Sequence, residues 1–279
     1  MCQVLQVSTS GYHAWKGRSP SPHQKRNEEL CTLIERIYQK SCGRYGSPRV
    51  HQELRVQGVR CSQKRVARLM QEQGLVARKR RRFVGTTDSR HAHPVAENVL
   101  ARQYQVEAVA DVNRAWAGDI TYIPTAKGWL YLAVVFDLKS RKVIGWSMKA
   151  TLHTELVQEA LLMATGQRLV GPVQERLLFH SDRGSQYAAY NFREQLQQWE
   201  IIGSMSGKSN CWDNAPIESF FATLKKELVH QENYLNHEQA KASLFYYIEV
   251  FYNRIRRHSA LGYKSPNDYE QSLLTPCPP

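Results

Sequence analysis

The sequence predicts a mixed α/β domain preceded by small all-helical modules, on three observations. Before about residue 110, apolar residues recur at helical spacing; after it, short apolar runs bounded by turn residues alternate with helical stretches. Charge changes at the same place. Residues 1–110 hold 20 Lys and Arg against 8 Asp and Glu, while 111–279 hold 18 against 17. The net charge of +13 therefore sits almost wholly in the first two-fifths of the chain, which marks a module that meets a polyanion, nucleic acid first among them. A hydrophobic content of 42% with six Trp supports packed cores.

The elements follow in order. Residues 1–22 read as a partial helical unit and linker: a turn at Val7–Gly11, a short helix with Tyr12 and Trp15, then GRSPSPH. Residues 23–84 form a clearer module. NEELCTLIERIYQK repeats Leu30, Leu33, Ile34, Ile37 and Tyr38 with a 3.6-residue period. Ser47 and Pro48 offer an N-cap and first-turn pair for a second helix carrying Val50 and Leu54 and stopping at Gly58. Ser62 caps a third, QKRVARLMQEQ, ended by Gly74; Val66, Leu69 and Met70 face inward and Lys64, Arg65 and Arg68 outward. This resembles a helix-turn-helix with a basic last helix. The run with Arg80, Arg81 and Arg82, among six Lys and Arg in residues 78–90, favours DNA over a merely solvated basic face. Residues 85–110 read as a mobile basic connector.

Residues 111–272 change grammar. WAGDITYIP, GWLYLAVVFD and KVIGWSM read as three antiparallel strands. HTELVQEALLMAT is a helix, ERLLFHSD a strand, NFREQLQQW a helix and IIGSM a strand. A long helix starts near Ala215, another spans HEQAKASLFYYIEVFYN, and residues 273–279 are a tail. This is the element order of the ribonuclease H-like fold. Six scattered Cys, with no C-x-x-C, argue against a disulfide framework or a zinc finger. His91 and His93, without a Cys partner, read as loop residues. No apolar run approaches a membrane span and no secretory signal opens the chain, so the expected place is the cytoplasm, with no membrane partner.

Three acids occupy comparable places. Asp119 lies within the first strand, where a charge is awkward; Asp182 follows the fourth strand; Glu218 lies in the first turn of the long helix. In a ribonuclease H-like sheet those strands are neighbours and the helix crosses beside them. Three carboxylates meeting there raise one another's pKa unless a cation intervenes. Hard oxygen ligands suit Mg²⁺, and two such ions promote displacement at phosphorus. Taken singly, Asp119 reads as a buried hydrogen-bonded acid, Asp182 as a turn residue and Glu218 as a helix-start residue. Asp137 reads as a turn acid and Asp213 as the cap of the long helix.

The stretches GRYGSPRVHQELR, KRVARLMQEQGL, WAGDITYIP, FHSDRGSQY, SNCWDNAPIESFFATLKKEL and RRHSALGYKSP, with 35 residues between Asp182 and Glu218, resemble the integrase-core (DDE) transposases of bacterial insertion sequences. The match is to the second-frame product of the large family numbered three. The resemblance implies a retroviral-integrase-type core with Asp119, Asp182 and Glu218 as metal-binding catalytic acids. It implies two Mg²⁺ per site, with Mn²⁺ substituting. DNA is the implied substrate, both the terminal inverted repeats and the target, held by a dimer or larger assembly. The chain resembles only the downstream product, which implies an upstream-frame partner or fusion. The integrases' His/His/Cys/Cys zinc unit is missing, and the helix-turn-helix stands in its place. Lys225, two helical turns past Glu218, is expected to touch a phosphate near the scissile bond; the plain alternative is an ordinary surface lysine. His180 and Arg183 contact DNA or orient the site. Tyr252, Asn253, Arg256, Arg257 and His258 form either a packing motif or another DNA surface. A DNA-binding regulator with an inactive core and a simple metal-dependent nuclease are the competing readings.

Overall fold

The computed structural model describes residues 2–78, 94–169, 177–207 and 211–274. The chain divides into two compact units, Met1–Arg78 and Lys79–Pro279.

The first unit is all-helical. Its α1 (Thr9–Lys16) is capped by Ser8 Oγ, which accepts from Gly11 N at 2.9 Å, and buries none of its residues. The next helix, α2 (Pro22–Lys40), starts inside the expected linker. Ser21 caps it and Pro22 takes a first-turn position, where the missing N–H has no helical partner to lose. Leu30, Ile34 and Ile37 form its buried face. For α3 (Ser47–Val56) the N-cap is Gly46, with no side-chain bond, so Ser47 lies inside the helix rather than capping it. Ser62 does cap α4 (Gln63–Glu72), accepting from Arg65 N at 3.2 Å, and Val66, Leu69 and Met70 are buried as their spacing requires. Gly74 follows at φ +67°, the left-handed conformation that ends helices and favours glycine.

The second unit holds a five-stranded sheet in the order β3-β2-β1-β4-β5. β1 (Ala115–Thr125), β2 (Gly128–Asp137) and β3 (Val143–Lys149) pair antiparallel. After α5 (Thr154–Arg168), β4 (Leu178–Ser181) joins β1 in parallel. A short helix that the sequence did not announce, α6 (Ser185–Ala188), precedes α7 (Tyr190–Gln198), and β5 (Ile202–Met205) then pairs parallel with β4. A 3-10 turn (Cys211–Asn214) leads into α8 (Ala215–Glu227). α9 (His237–Phe245) continues as a π-helical stretch (Tyr246–Tyr252), and α10 (Pro266–Leu274) ends the described chain. Three antiparallel strands followed by two parallel ones on the far side of β1 give the ribonuclease H-like sheet. Gly145 lets α5 lie close on β3: a Cβ there would sit 2.8 Å from that of Ala164. One face of the sheet buries Trp116, Val135, Leu161, Phe179 and Phe192.

On the other face lies the C-terminal block, and it is a packing motif. The Phe220 ring lies 5.6 Å from that of Phe136 and 4.8 Å from that of Tyr252. Asn253 is buried; its Oδ1 accepts from Val143 N (3.0 Å) and its Nδ2 donates to Val143 O (2.8 Å), so one side chain substitutes for a strand partner at the sheet edge. Arg256 is buried and forks onto Glu227, which also accepts from Tyr247 Oη at 2.9 Å. Arg257 Nη1 donates to Tyr263 O, and His258 pairs with Lys264 through the backbone.

Residues 94–112 are fastened rather than loose. Leu100, Val106 and Val109 are buried, Lys139 Nζ donates to the carbonyls of Val106 and Val109, and Arg141 Nη2 donates to that of Tyr104.

Candidate active site

The parallel register pairs Gly118 with Ser181, so Asp119, which continues in β1 opposite Val134 of β2, and Asp182, which leaves β4, lie one step beyond the last β1–β4 pair. Gly118 is required there: a Cβ would approach Phe179 Cε1 to 2.9 Å and Tyr187 Cε1 to 3.2 Å. Asp119 Oδ1 accepts from Ile120 N at 2.8 Å, which tethers the side chain to its own strand. Asp182 Oδ1 accepts from Gly184 N at 2.9 Å, the turn its sequence context suggested. Structural and chemical readings of Asp182 are therefore compatible. Glu218 is exposed in the first turn of α8, which packs beside β1.

Electrostatics joins the three. Burial, then the Asp182 charge, push the Asp119 carboxyl well above the usual carboxylate range, with Glu218 adding to the rise; the Ile120 N–H and Lys225 oppose it. Glu218, exposed at its surface but partly desolvated by its neighbours, is raised by that desolvation and by Asp182. Lys225 is lowered by burial, and the Asp119 charge opposes that shift. Tyr187, fully buried, stays protonated well above the usual phenol range through burial and the fields of Asp119 and Asp182. Sequence reasoning missed Tyr187 although it closes the FHSDRGSQY stretch. Among the described residues, no three His, Cys, Asp or Glu side chains are already drawn together as a ready cage for an ion. A groove of about 660 Å³ lies elsewhere, lined by Trp146, Leu162, Met163, Lys241 and Phe245, so shared charge rather than concavity marks the acidic site.

A pH dependence follows. Between the ordinary carboxylate range and its raised folded value, Asp119 binds its proton more tightly in the native state than in the unfolded chain. Metal-free stability therefore falls as pH rises through that window. Asp119→Asn is expected to flatten this part of the stability–pH curve and to raise the melting midpoint at neutral pH, measured by thermal denaturation in chelator.

Other expected site residues are placed differently. His180 is 1% exposed, with Nδ1 2.9 Å from Ser204 Oγ, and burial lowers its pKa to about 4; its ring is turned into the protein, not toward DNA. Arg183 is half-buried, with Nε donating to Ser206 O at 2.7 Å. Lys64 and Arg68 are exposed on α4, but Arg65 is not outward-facing: its Nε and Nη2 both donate to Asn27 Oδ1, at 2.9 and 2.6 Å. Arg80, Arg81 and Arg82 lie outside the described residues. Asp137 is the turn acid expected, accepting from the backbone of Asn113, Lys139 and Ser140. Asp213 does not cap α8, whose N-cap is Asn214; its carboxylate accepts from Asn98, Arg102 and Gly207 instead.

The chain matches family models described as an integrase core domain over residues 110–211 and 218–274, and one described as an HTH-like domain over residues 25–83. It is 41% identical over 276 residues to the transposase InsF for insertion sequence IS3A of Escherichia coli (strain K12), covering 98% of this chain and 94% of that one. It is 40% identical over 271 residues to an uncharacterized 31 kDa protein of insertion element IS600 from Shigella sonnei, covering 97% of each. Among solved structures, the HTLV-2 integrase catalytic core domain in complex with magnesium aligns at TM-score 0.41 and 20% identity, over 57% of this chain and 96% of that one. A basic helical unit and an integrase-type core, shared over nearly the whole length with InsF, make this chain a DNA transposase of the IS3 family.

Proposed function

We propose that Asp119, Asp182 and Glu218 are the catalytic acids, that together they hold two Mg²⁺ (Mn²⁺ substituting), and that this site cuts and rejoins phosphodiester bonds at element ends. The observation that carries the reading is the register that sets Asp119 and Asp182 on adjacent strands, with the Asp182 charge felt at both Asp119 and Glu218, a pattern that a hard divalent cation neutralises with oxygen ligands. When bound, such a pair of ions polarises the scissile phosphate and lowers the pKa of an attacking water. The chain's own residues fix the frame. Asp119 is held on a central strand by its Ile120 N–H bond and Asp182 by its Gly184 turn, so two acids start from rigid supports. Lys225, within the field of Asp119, offers its ammonium to a phosphate oxygen.

Water attacks phosphorus at an element end and the 3′-oxygen leaves, taking a proton to become a free 3′-OH. That hydroxyl then attacks a target phosphodiester, forming one P–O bond as another breaks. Tyr187, held protonated and buried, is not the nucleophile. The helical unit binds the terminal inverted repeats, with Lys64 and Arg68 on its exposed surface and Arg80, Arg81 and Arg82 following it in sequence. A dimer or larger assembly pairs two ends, alone or with an upstream-frame partner or fusion, in the bacterial cytoplasm.

The test is an end-bearing oligonucleotide incubated with Mg²⁺. Cleavage followed by joining supports the reading; binding without cleavage assigns a regulator, and cleavage without joining a nuclease. Within the helical unit, Lys64→Ala is expected to reduce the slope of log affinity against log salt by about one, read from binding titrations across ionic strength. Arg65→Ala, which breaks the tie to Asn27, is expected to lower the unit's melting midpoint as well.

A further inference from the structure

The segment Asn98–Arg102 binds two supports at once, and each support carries one of the acids. On one side is Ser204 of β5, 1% exposed. Its Oγ accepts from Val99 N (3.0 Å) and Leu100 N (3.3 Å) and lies 2.9 Å from His180 Nδ1. A hydroxyl has two lone pairs and one proton. Ser204 thus ties the Val99–Leu100 backbone to the His180 ring through one buried hydroxyl. His180 lies two residues before Asp182, on the strand that ends at that acid.

On the other side is Asp213, whose side chain is 2% exposed. Its Oδ2 accepts from Asn98 Nδ2 (2.9 Å) and Gly207 N (2.8 Å), and its Oδ1 from Arg102 Nε (2.9 Å). A carboxylate this buried is costly without such donors. It sits in the 3-10 turn that enters α8, five residues before Glu218. Ser206 and Gly207, which follow β5, make a second link of this kind: Ser206 Oγ donates to Ser181 O and Gly207 N to Asp213 Oδ2. Asn98 Nδ2 and Arg102 Nε donate to Asp213, and through it their reach extends to the start of α8.

We propose that Asn98 and Arg102 are positioning residues: clasped to Asp213 while the adjoining backbone is clasped to Ser204, they set Glu218 relative to Asp182 and so set the affinity of the acidic trio for a divalent cation. This rests on the reading of Asp119, Asp182 and Glu218 as the metal-binding acids. Groups that orient metal ligands from outside the coordination shell typically change metal affinity by about 10–100-fold when removed.

The experiment uses the full chain and Mn²⁺ alone as probe, by calorimetric titration without DNA, beside cleavage rates over a Mn²⁺ series. Arg102 is half exposed, so Arg102→Ala is expected to fold, and thermal melts check it. Arg102→Ala is expected to raise the Mn²⁺ midpoint about tenfold while the rate at saturating Mn²⁺ stays near the parent's. Arg102→Lys, which restores a charged donor, recovers much of the loss, and Asn98→Ala shifts the midpoint in the same direction. An unchanged midpoint in folded Arg102→Ala, or a rate lowered equally at every Mn²⁺ concentration, overturns the clasp. If Arg102→Ala does not fold, Asn98→Ala carries the same test. Glu218→Gln separates the two layers: full activity in that variant removes the catalytic reading and the clasp with it, whereas a dead Glu218→Gln beside unaltered clasp variants removes the clasp alone.

Discussion

Asp182→Asn is expected to lose both cleavage and joining by about a thousandfold or more while still binding element-end DNA. Neutralising one metal-binding carboxylate removes several kcal/mol of charge stabilisation at the transition state; about 4 kcal/mol corresponds to roughly a thousandfold in rate. Asparagine is the informative replacement. Its side-chain oxygen still accepts from the Gly184 N–H, so the turn that Asp182 forms is kept while the charge is lost. Asp182→Ala loses both. If the two variants are equally inactive, the charge is what matters; an active Asp182→Asn beside an inactive Asp182→Ala would mean that Asp182 serves only to shape the turn. Filter binding on the same oligonucleotide shows that the helical unit still engages DNA.

The second large effect is on stability. Arg256→Ala is expected to destabilise the second unit by about 3–5 kcal/mol, because it strands Glu227 as an uncompensated buried charge. For a unit of this size that is a fall on the order of 10 °C in melting midpoint, measured by calorimetry. Glu227 holds the end of α8 against the π-helical stretch through Arg256 and Tyr247, so the loss also loosens the helix that carries Glu218. Arg256 also lies over the Tyr252 ring at 5.4 Å. Replacing the pair together with apolar residues of similar volume is expected to cost far less than the single change, since neither charge is then left alone. A single variant that melts like the parent would show that the fork onto Glu227 contributes little.

Where the sequence was legible, local rules and periodicity were enough. The alternation of WAGDITYIP and the runs that follow it fixed five strands in order, and Ser62 with Gly74 bracketed α4, because caps and strand periods are short-range properties. Asp119, Asp182 and Glu218 were legible as candidates through strand ends and spacing, and the register of β1 with β4 brings the first two together. What stayed hidden depends on partners far away in sequence. Asp213 looks like a helix cap until Asn98 and Arg102 arrive from more than a hundred residues upstream. Arg65 looks outward on its helix wheel until Asn27 claims it. His180 lies two residues before an acid in sequence, yet its ring is buried against Ser204 of β5 rather than open to solvent. The C-terminal Tyr252, Asn253 and Arg256 are basic and aromatic, a composition equally suited to DNA and to a core; only their bonds to Val143 and Glu227 decide it.

The central claim is that three acids from two strands and a helix share divalent ions. A crystal structure of the chain bound to an element-end duplex in Mn²⁺, with anomalous scattering locating the metal, tests it most directly. The expected result is metal bounded by carboxylate oxygens of Asp119, Asp182 and Glu218, with two ions about 3.5–4 Å apart. Metal absent from this place, with Glu218 directed away from both aspartates while DNA occupies the site, would contradict it.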